Sequence, residues 1–121
     1  MKIDYTGKVV VVTGAGGSIG RASALLFASL GGSVVANDLD AQTLRETTDA
    51  IAATGGTAEA VVADITDPDA ACGVVRTACE RFGGIDVLFN NAGGSFPTPM
   101  ESIDRKEHPM RAVYRGQKKN V

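Results

Sequence analysis

KVVVVTGAGGSIG, residues Lys8 to Gly20, decides the fold. Four consecutive valines suit a strand buried on both faces, because β-branched side chains pack well on a pleated surface. The run stops at a glycine-rich turn. Ser18 is placed to cap a helix, and Ile19, Ala22, Leu26 and Leu30 follow at helical spacing until Gly31-Gly32 closes it. In a strand, glycine turn and helix in this order, backbone N–H groups and the positive end of the helix dipole can hold a pyrophosphate without any charged side chain. The G-x-G-x-x-G spacing is not met, because Ile19 stands at its third glycine. The longer T-G-x-x-x-G-x-G pattern fits, with Ser18 in place of the middle glycine. A helix-start turn with no ligand is the plainer reading; the strand before it and the helix after it favour a ligand.

Downstream the same unit recurs. SVVAN (33–37) reads as a second strand, and Asp40 caps a helix running to about Thr54 with Leu44 and Ile51 inward. TAEAVVA (57–63) is a third strand. Asp67-Pro68 opens a third helix with Ala71, Val75, Ala78 and Phe82 as its buried stripe, ended by Gly83-Gly84. IDVLF (85–89) is a fourth strand, followed by Asn90-Asn91-Ala92-Gly93. The order β-α-β-α-β-α-β with short connections predicts an α/β doubly wound parallel sheet. Helices one and two share one face and helix three lies alone on the other. Such sheets take ligands beyond the carboxyl ends of their strands.

Composition narrows the class. The 121 residues are 44% hydrophobic with 15 glycines, which is globular, and the net charge of −2 argues against a dedicated nucleic-acid partner. No apolar run approaches the roughly 20 residues of a membrane span. MKIDYTGK lacks the apolar core of a signal peptide, so a cytoplasmic location is expected. Cys72 and Cys79 lie about 10 Å apart along one helix, too far for a disulfide, and read as buried small hydrophobes. The charge is uneven. Residues 1–104 carry 13 acids and six bases, whereas 105–121 carry one acid, Glu107, and six bases. A domain over 1–104 and a basic, irregular tail over 105–121 are expected. The single histidine, His108, falls in that tail and reads as solvated, with no metal site.

Three further turns follow strand ends. Asp38 after strand two can take both hydroxyls of an adenosine ribose and repel a 2′-phosphate. Helix capping is its other possible task, but Asp40 is better placed for it. Asp64-Ile65 after strand three offers a carboxylate and an apolar face to an adenine edge. Asn90 and Asn91 carry amides able to fix neighbouring strand ends, beside the small Ala92 and Gly93. Each is weak alone. Together, at the ends of four successive strands, they resemble the short-chain dehydrogenase/reductase family over about residues 5–104, from the Tyr5-Thr6-Gly7-Lys8 lead-in to GSFPTPMESID. The resemblance implies a Rossmann-type sheet, here truncated after the fourth strand, and an NAD-dependent oxidoreductase. It places Gly14, Ser18, Ile19 and Gly20 on the pyrophosphate and nicotinamide side and Asp38 on the adenosine ribose. Asp64 and Ile65 then meet the adenine, and Asn90, Asn91, Ala92 and Gly93 the centre of the cofactor. NAD is preferred over NADP because of Asp38.

The family transfers hydride with a serine, a tyrosine and a lysine four residues after the tyrosine. YRGQK supplies Tyr114 and Lys118 at that spacing, and a nearby cation would lower the phenol pKa from its usual value of about 10. Only 20 residues separate Gly93 from Tyr114, however. A parallel crossover alone takes about a dozen or more, before a fifth strand is added. Pro97, Pro99 and Pro109 interrupt that stretch, and Gly116 sits inside the motif. Tyr114 and Lys118 therefore read as a coincidental match, and no catalytic residue is assigned. The expected chain is the cofactor-binding part of an enzyme, inactive alone, which meets a small-molecule substrate only when the missing half is supplied. A non-enzymatic dinucleotide-binding module is the alternative. An adenosylmethionine-dependent methyltransferase also uses a glycine turn and an acid after strand two, but carries an acid where this chain has Thr13. Apolar side chains of strands one and four, and the open edge of strand four, are expected to drive self-association.

Overall fold

Val9, Val10, Val11 and Val12 alternate between the two faces of a parallel sheet, and all four are buried. Each contributes about 1.5–3 kcal/mol by leaving water, which makes this strand the centre of the fold. The computed structural model describes residues 2–92. Gly93, the basic tail, His108, Tyr114 and Lys118 lie outside the described residues. The elements are β1 (Val9–Thr13), α1 (Ser18–Ser29), β2 (Ser33–Asp38), α2 (Ala41–Ala53), β3 (Thr57–Val62), α3 (Pro68–Phe82) and β4 (Val87–Phe89). The sheet order is β3-β2-β1-β4 and every pairing is parallel. It is the Rossmann-type α/β arrangement expected from the alternation. The strand order reverses at β1, whose carboxyl end faces the ends of β2 on one side and β4 on the other.

Val10 and Val12 join Val34 and Ala36 of β2 in packing on Ala24 and Ala28 of α1 and Leu44 and Ile51 of α2. Val9 and Val11 turn the other way, onto Ala71, Val74 and Ala78 of α3. Local signals set most helix ends. Asp40 Oδ1 accepts the N–H groups of Gln42 at 2.9 Å and Thr43 at 3.3 Å. Asp67 Oδ1 accepts the Asp69 N–H at 3.2 Å, with Pro68 in the first turn. Caps of this kind are worth about 1 kcal/mol each.

Several expectations need correction. The buried stripe of α1 is Gly20, Ala24 and Ala28, not Ile19, Ala22, Leu26 and Leu30. Ile19 is 66% exposed and Leu26 57%. The small-residue face wins because it lets the helix axis approach β1 closely. The N-cap of α1 is Gly17, with no side-chain cap, and Ser18 is the first helical residue. On α3, Val74 is buried and Val75 exposed. Cys72 and Cys79 are exposed free thiols and not core residues, since they lie at the flank of the stripe of Ala71, Val74 and Ala78 on α3. Strand one is fully covered. At β4 an apolar surface opens, where Leu88 is 43% exposed beside an apolar groove of about 260 Å³ that also meets Cys72, Val75 and Ile85.

Candidate functional site

The carboxyl ends of β1, β2 and β3 enclose a cleft of about 180 Å³, and Gly14, Asn37, Asp38, Asp64, Ile65 and Ala92 all line it. Five of those six were singled out in the sequence. The turn after β1 builds one wall. Gly14 has φ +68°, a conformation that costs an L-residue roughly 1–2 kcal/mol. A Cβ at Gly14 would also come within 3.1 Å of the Ala92 backbone and of Asn91 Nδ2. At Gly20 a Cβ would run into the Gly14 carbonyl oxygen. Gly20 is therefore buried behind the turn, where its lack of a side chain seats α1 against the loop.

Ser18 and Ile19 face outward at the start of α1. No side chain caps this end, and among the described residues no acceptor takes the N–H of Ser18 or Ile19. A helix of 12 residues thus presents free donors and about half a positive charge to the mouth of the cleft. An anionic group fits that cradle.

Asp38, the last residue of β2, is fixed on both oxygens. Its Oδ2 accepts the Gly16 N–H at 2.9 Å and its Oδ1 the Asp40 N–H at 3.0 Å. A carboxylate has about four acceptor sites, so lone pairs remain for ligand hydroxyls. Asp64 is exposed, and its Oδ1 accepts from the Thr66 hydroxyl at 2.6 Å and the Thr66 N–H at 2.9 Å. The hydroxyl first, and the backbone N–H second, hold its carboxyl below the usual aspartate range. Ile65 is largely buried beside it and shows the cleft an apolar edge.

Beyond β4, Asn91 bridges strand ends: its Nδ2 donates to the Gly14 carbonyl at 3.4 Å. Asn90 is exposed, and no hydrogen bond joins it to the cleft wall among the described residues. Gly93 lies outside the described residues.

Two residues hold this cleft together in a way the sequence reading did not assign: Thr13, which entered as the first letter of the glycine-turn pattern, and Asn37. The Thr13 hydroxyl accepts the N–H groups of Asn91 and Ala92 and reaches the Phe89 carbonyl at 3.5 Å. Asn37, fully buried, donates its amide to the carbonyls of Val61 at 3.0 Å and Ala63 at 3.1 Å, locking the ends of β2 and β3 together. The signal was present in both cases, as the single polar residue ending an apolar run. Asp86 does the same work at the opposite rim, accepting the Val9 N–H at 2.8 Å.

Among the described residues no helix is long and apolar enough to cross a membrane, and no cluster of potential metal ligands occurs.

Known proteins share this arrangement. The family described as short chain dehydrogenase matches residues 8–115, a span that passes Asp104. The 7alpha-hydroxysteroid dehydrogenase of Escherichia coli (strain K12) is 39% identical over 95 residues, covering 78% of this chain and 37% of the relative. The cyclohexanol dehydrogenase of an Acinetobacter species is also 39% identical, over 93 residues, with 77% and 37% covered. The chain therefore spans little more than a third of the length of these curated relatives. A crystal structure of a short chain dehydrogenase from Mycobacterium avium superposes with a TM-score of 0.83 at 39% identity, covering 98% of this chain and 44% of that one. The family match over residues 8–115, with these identities and this superposition, shows that the chain belongs to the short-chain dehydrogenase family.

Proposed function

We propose that residues 1–104 form the NAD-binding part of an oxidoreductase that moves hydride between a nicotinamide and an alcohol or carbonyl carbon. When bound, the nicotinamide supplies or accepts the hydride. The residues described here bind and orient. The N–H groups of Ser18 and Ile19, with the Gly14 turn, receive the pyrophosphate, and Gly20 backs that turn. Asp38 takes the adenosine ribose, Asp64 and Ile65 the adenine, and Asn90, Asn91, Ala92 and Gly93 the middle of the cofactor. The uncapped start of α1 and the close approach of the Asn91–Ala92 wall that Gly14 permits support the fit.

The preference for NAD rests on one observation: Asp38 is anchored by the Gly16 N–H at the cleft wall. A fixed carboxylate there accepts ribose hydroxyls and repels a 2′-phosphate. Titration calorimetry of the full chain with NADH and NADPH tests this. NADH is expected to bind at least about tenfold more tightly, a difference of ~1.4 kcal/mol. Equal or tighter NADPH binding would overturn the NAD assignment.

Proton transfer is assigned to a serine, tyrosine and lysine beyond this unit, and Tyr114 and Lys118 are not counted among them. The chain alone is then expected to show no NAD-dependent turnover of cyclohexanol, although it binds NADH. Turnover abolished by Tyr114→Phe would instead place the active site in YRGQK. Family membership favours this enzyme reading over a non-enzymatic binding module. Free, exposed Cys72 and Cys79 suit a reducing compartment, so a cytoplasmic setting is proposed.

A further inference from the structure

The peptide unit between Ala15 and Gly16 is held from both ends. Its N–H, on Gly16, donates to Asp38 Oδ2 at 2.9 Å. Its carbonyl, on Ala15, accepts from the Thr47 hydroxyl at 2.8 Å. A planar trans peptide directs its N–H and C=O in opposite directions, so fixing one end aims the other. Thr47 lies on α2, fully buried, and is not among the residues that line the cleft. Its hydroxyl proton lies closer to the Ala15 carbonyl than to the Thr43 carbonyl, at 3.3 Å, and the hydroxyl oxygen accepts from Arg21 Nε–H on α1 at 2.9 Å.

Arg21 is itself fixed at several points. One terminal nitrogen donates to the Thr43 carbonyl at 3.0 Å and pairs with Glu46 Oε2 at 3.0 Å, and it reaches the Gly16 carbonyl at 3.4 Å. Two successive carbonyls of the glycine turn, those of Ala15 and Gly16, thus accept from Thr47 of α2 and Arg21 of α1. Gly16 has no room for a side chain in this arrangement, because a Cβ would strike Thr43 Oγ1 and lie 3.0 Å from Asp38 Oδ2.

We infer that Thr47 and Arg21 are positioning residues for cofactor choice: through the Ala15–Gly16 peptide they aim the Asp38 carboxylate at the 2′ position of the ribose. The inference rests on the proposed NAD-binding role of the cleft. It assigns part of the discrimination between a free 2′-hydroxyl and a 2′-phosphate to two residues that touch neither. A guanidinium fork is needed, since Nε and a terminal nitrogen act on different acceptors, and a lysine ammonium cannot span them.

The test is the ratio of dissociation constants for ADP-ribose and 2′-phospho-ADP-ribose, measured by calorimetry on the full chain. Thr47→Val removes the hydroxyl at nearly constant shape, and Arg21→Met removes the fork at a site that is partly exposed, so that one variant remains if the other does not fold. In each, the preference for ADP-ribose is expected to shrink about tenfold, equivalent to ~1.4 kcal/mol. Thr47→Ser should keep the wild-type ratio, and Arg21→Lys should not. A folded Thr47→Val or Arg21→Met protein with an unchanged ratio overturns the inference. So does an equal weakening of both ligands, which marks a purely structural role. If the wild-type chain binds neither ligand, the NAD-binding reading itself fails, and the inference with it.

Discussion

The Thr13 hydroxyl accepts the N–H of Ala92 at 3.1 Å, tying the end of β1 to the turn after β4 across 79 residues of chain. The same oxygen accepts the Asn91 N–H at 3.0 Å. Thr13 is itself 2% exposed, so neither donor has bulk water as an easy substitute at this point. Thr13→Val keeps the shape and removes the acceptor. Leaving partly buried donors unmet costs about 1–3 kcal/mol. The expected result is a lower urea midpoint and weaker NADH binding, because the Asn91 and Ala92 wall loses its anchor, whereas Thr13→Ser should retain most of both. Equal stability of the valine and serine variants would show that the hydroxyl has no such part.

Gly20→Ala tests how tightly α1 sits on the turn. The new Cβ would meet the Gly14 carbonyl oxygen, a backbone atom that cannot swing aside. Relief requires α1 to move off β1 or the turn to open, and overpacking of this kind costs about 1–3 kcal/mol. Ala24→Gly on the same face creates no clash and serves as the comparison. Circular dichroism melts should show both variants destabilised, Ala24→Gly by about 1 kcal/mol through helix propensity, with NADH binding lost only in Gly20→Ala. Wild-type affinity in Gly20→Ala would mean that the loop geometry is not tied to this contact.

Features governed by neighbours in sequence were legible, and those governed by neighbours in space were not. Asp40 and Asp67-Pro68 cap their helices, and Gly83 ends α3 in the left-handed conformation, because caps and turns are decided within a few residues. On α1 two stripes share the same period. The larger side chains of Ile19 and Leu26 suggested one face, but the close approach to the sheet selects Gly20, Ala24 and Ala28. The same ambiguity displaced Val75 in favour of Val74 and exposed both cysteines. In the cleft, residues already placed at strand ends by the alternation, Gly14, Asp38, Asp64, Ile65 and Ala92, do converge. Arg21 and Thr47 were invisible, since only folding brings the side chains of α1 and α2 onto one peptide.

Asp64 sets a pH dependence with a definite sign. The Thr66 hydroxyl, then the Thr66 N–H, hold its carboxyl below the ordinary value of 3.8 in the folded chain. A group depressed on folding adds stability that is complete above its unfolded pKa and disappears as pH falls through the lower folded value. The loss should therefore appear only below about pH 4. Thr66→Val removes the larger cause. Denaturation midpoints followed downward from about pH 6 through the unfolded value should differ most between wild type and variant at the upper end, with the difference shrinking as pH falls below about 4. Parallel curves would show that the Asp64–Thr66 contact is not linked to folding. The site is exposed, so the difference is expected to be small.

β4 is the edge of the sheet among the described residues, and the surface beside it is apolar. Leu88 lies opposite Val11 in the parallel register, on the face covered by α3, yet remains 43% exposed. Val75 and Ile85 continue the same groove. An open edge next to exposed leucine, isoleucine and valine favours pairing between copies. The 121-residue chain is accordingly expected to self-associate as its concentration rises, seen by sedimentation velocity. Leu88→Glu places a charge in the groove without touching the cleft that holds Asp38 and Asp64. It should shift the chain toward monomer while leaving NADH affinity unchanged. A wild-type chain that stays monomeric across the micromolar to millimolar range would contradict the expectation. Association that persists in Leu88→Glu would move the contact elsewhere on the surface.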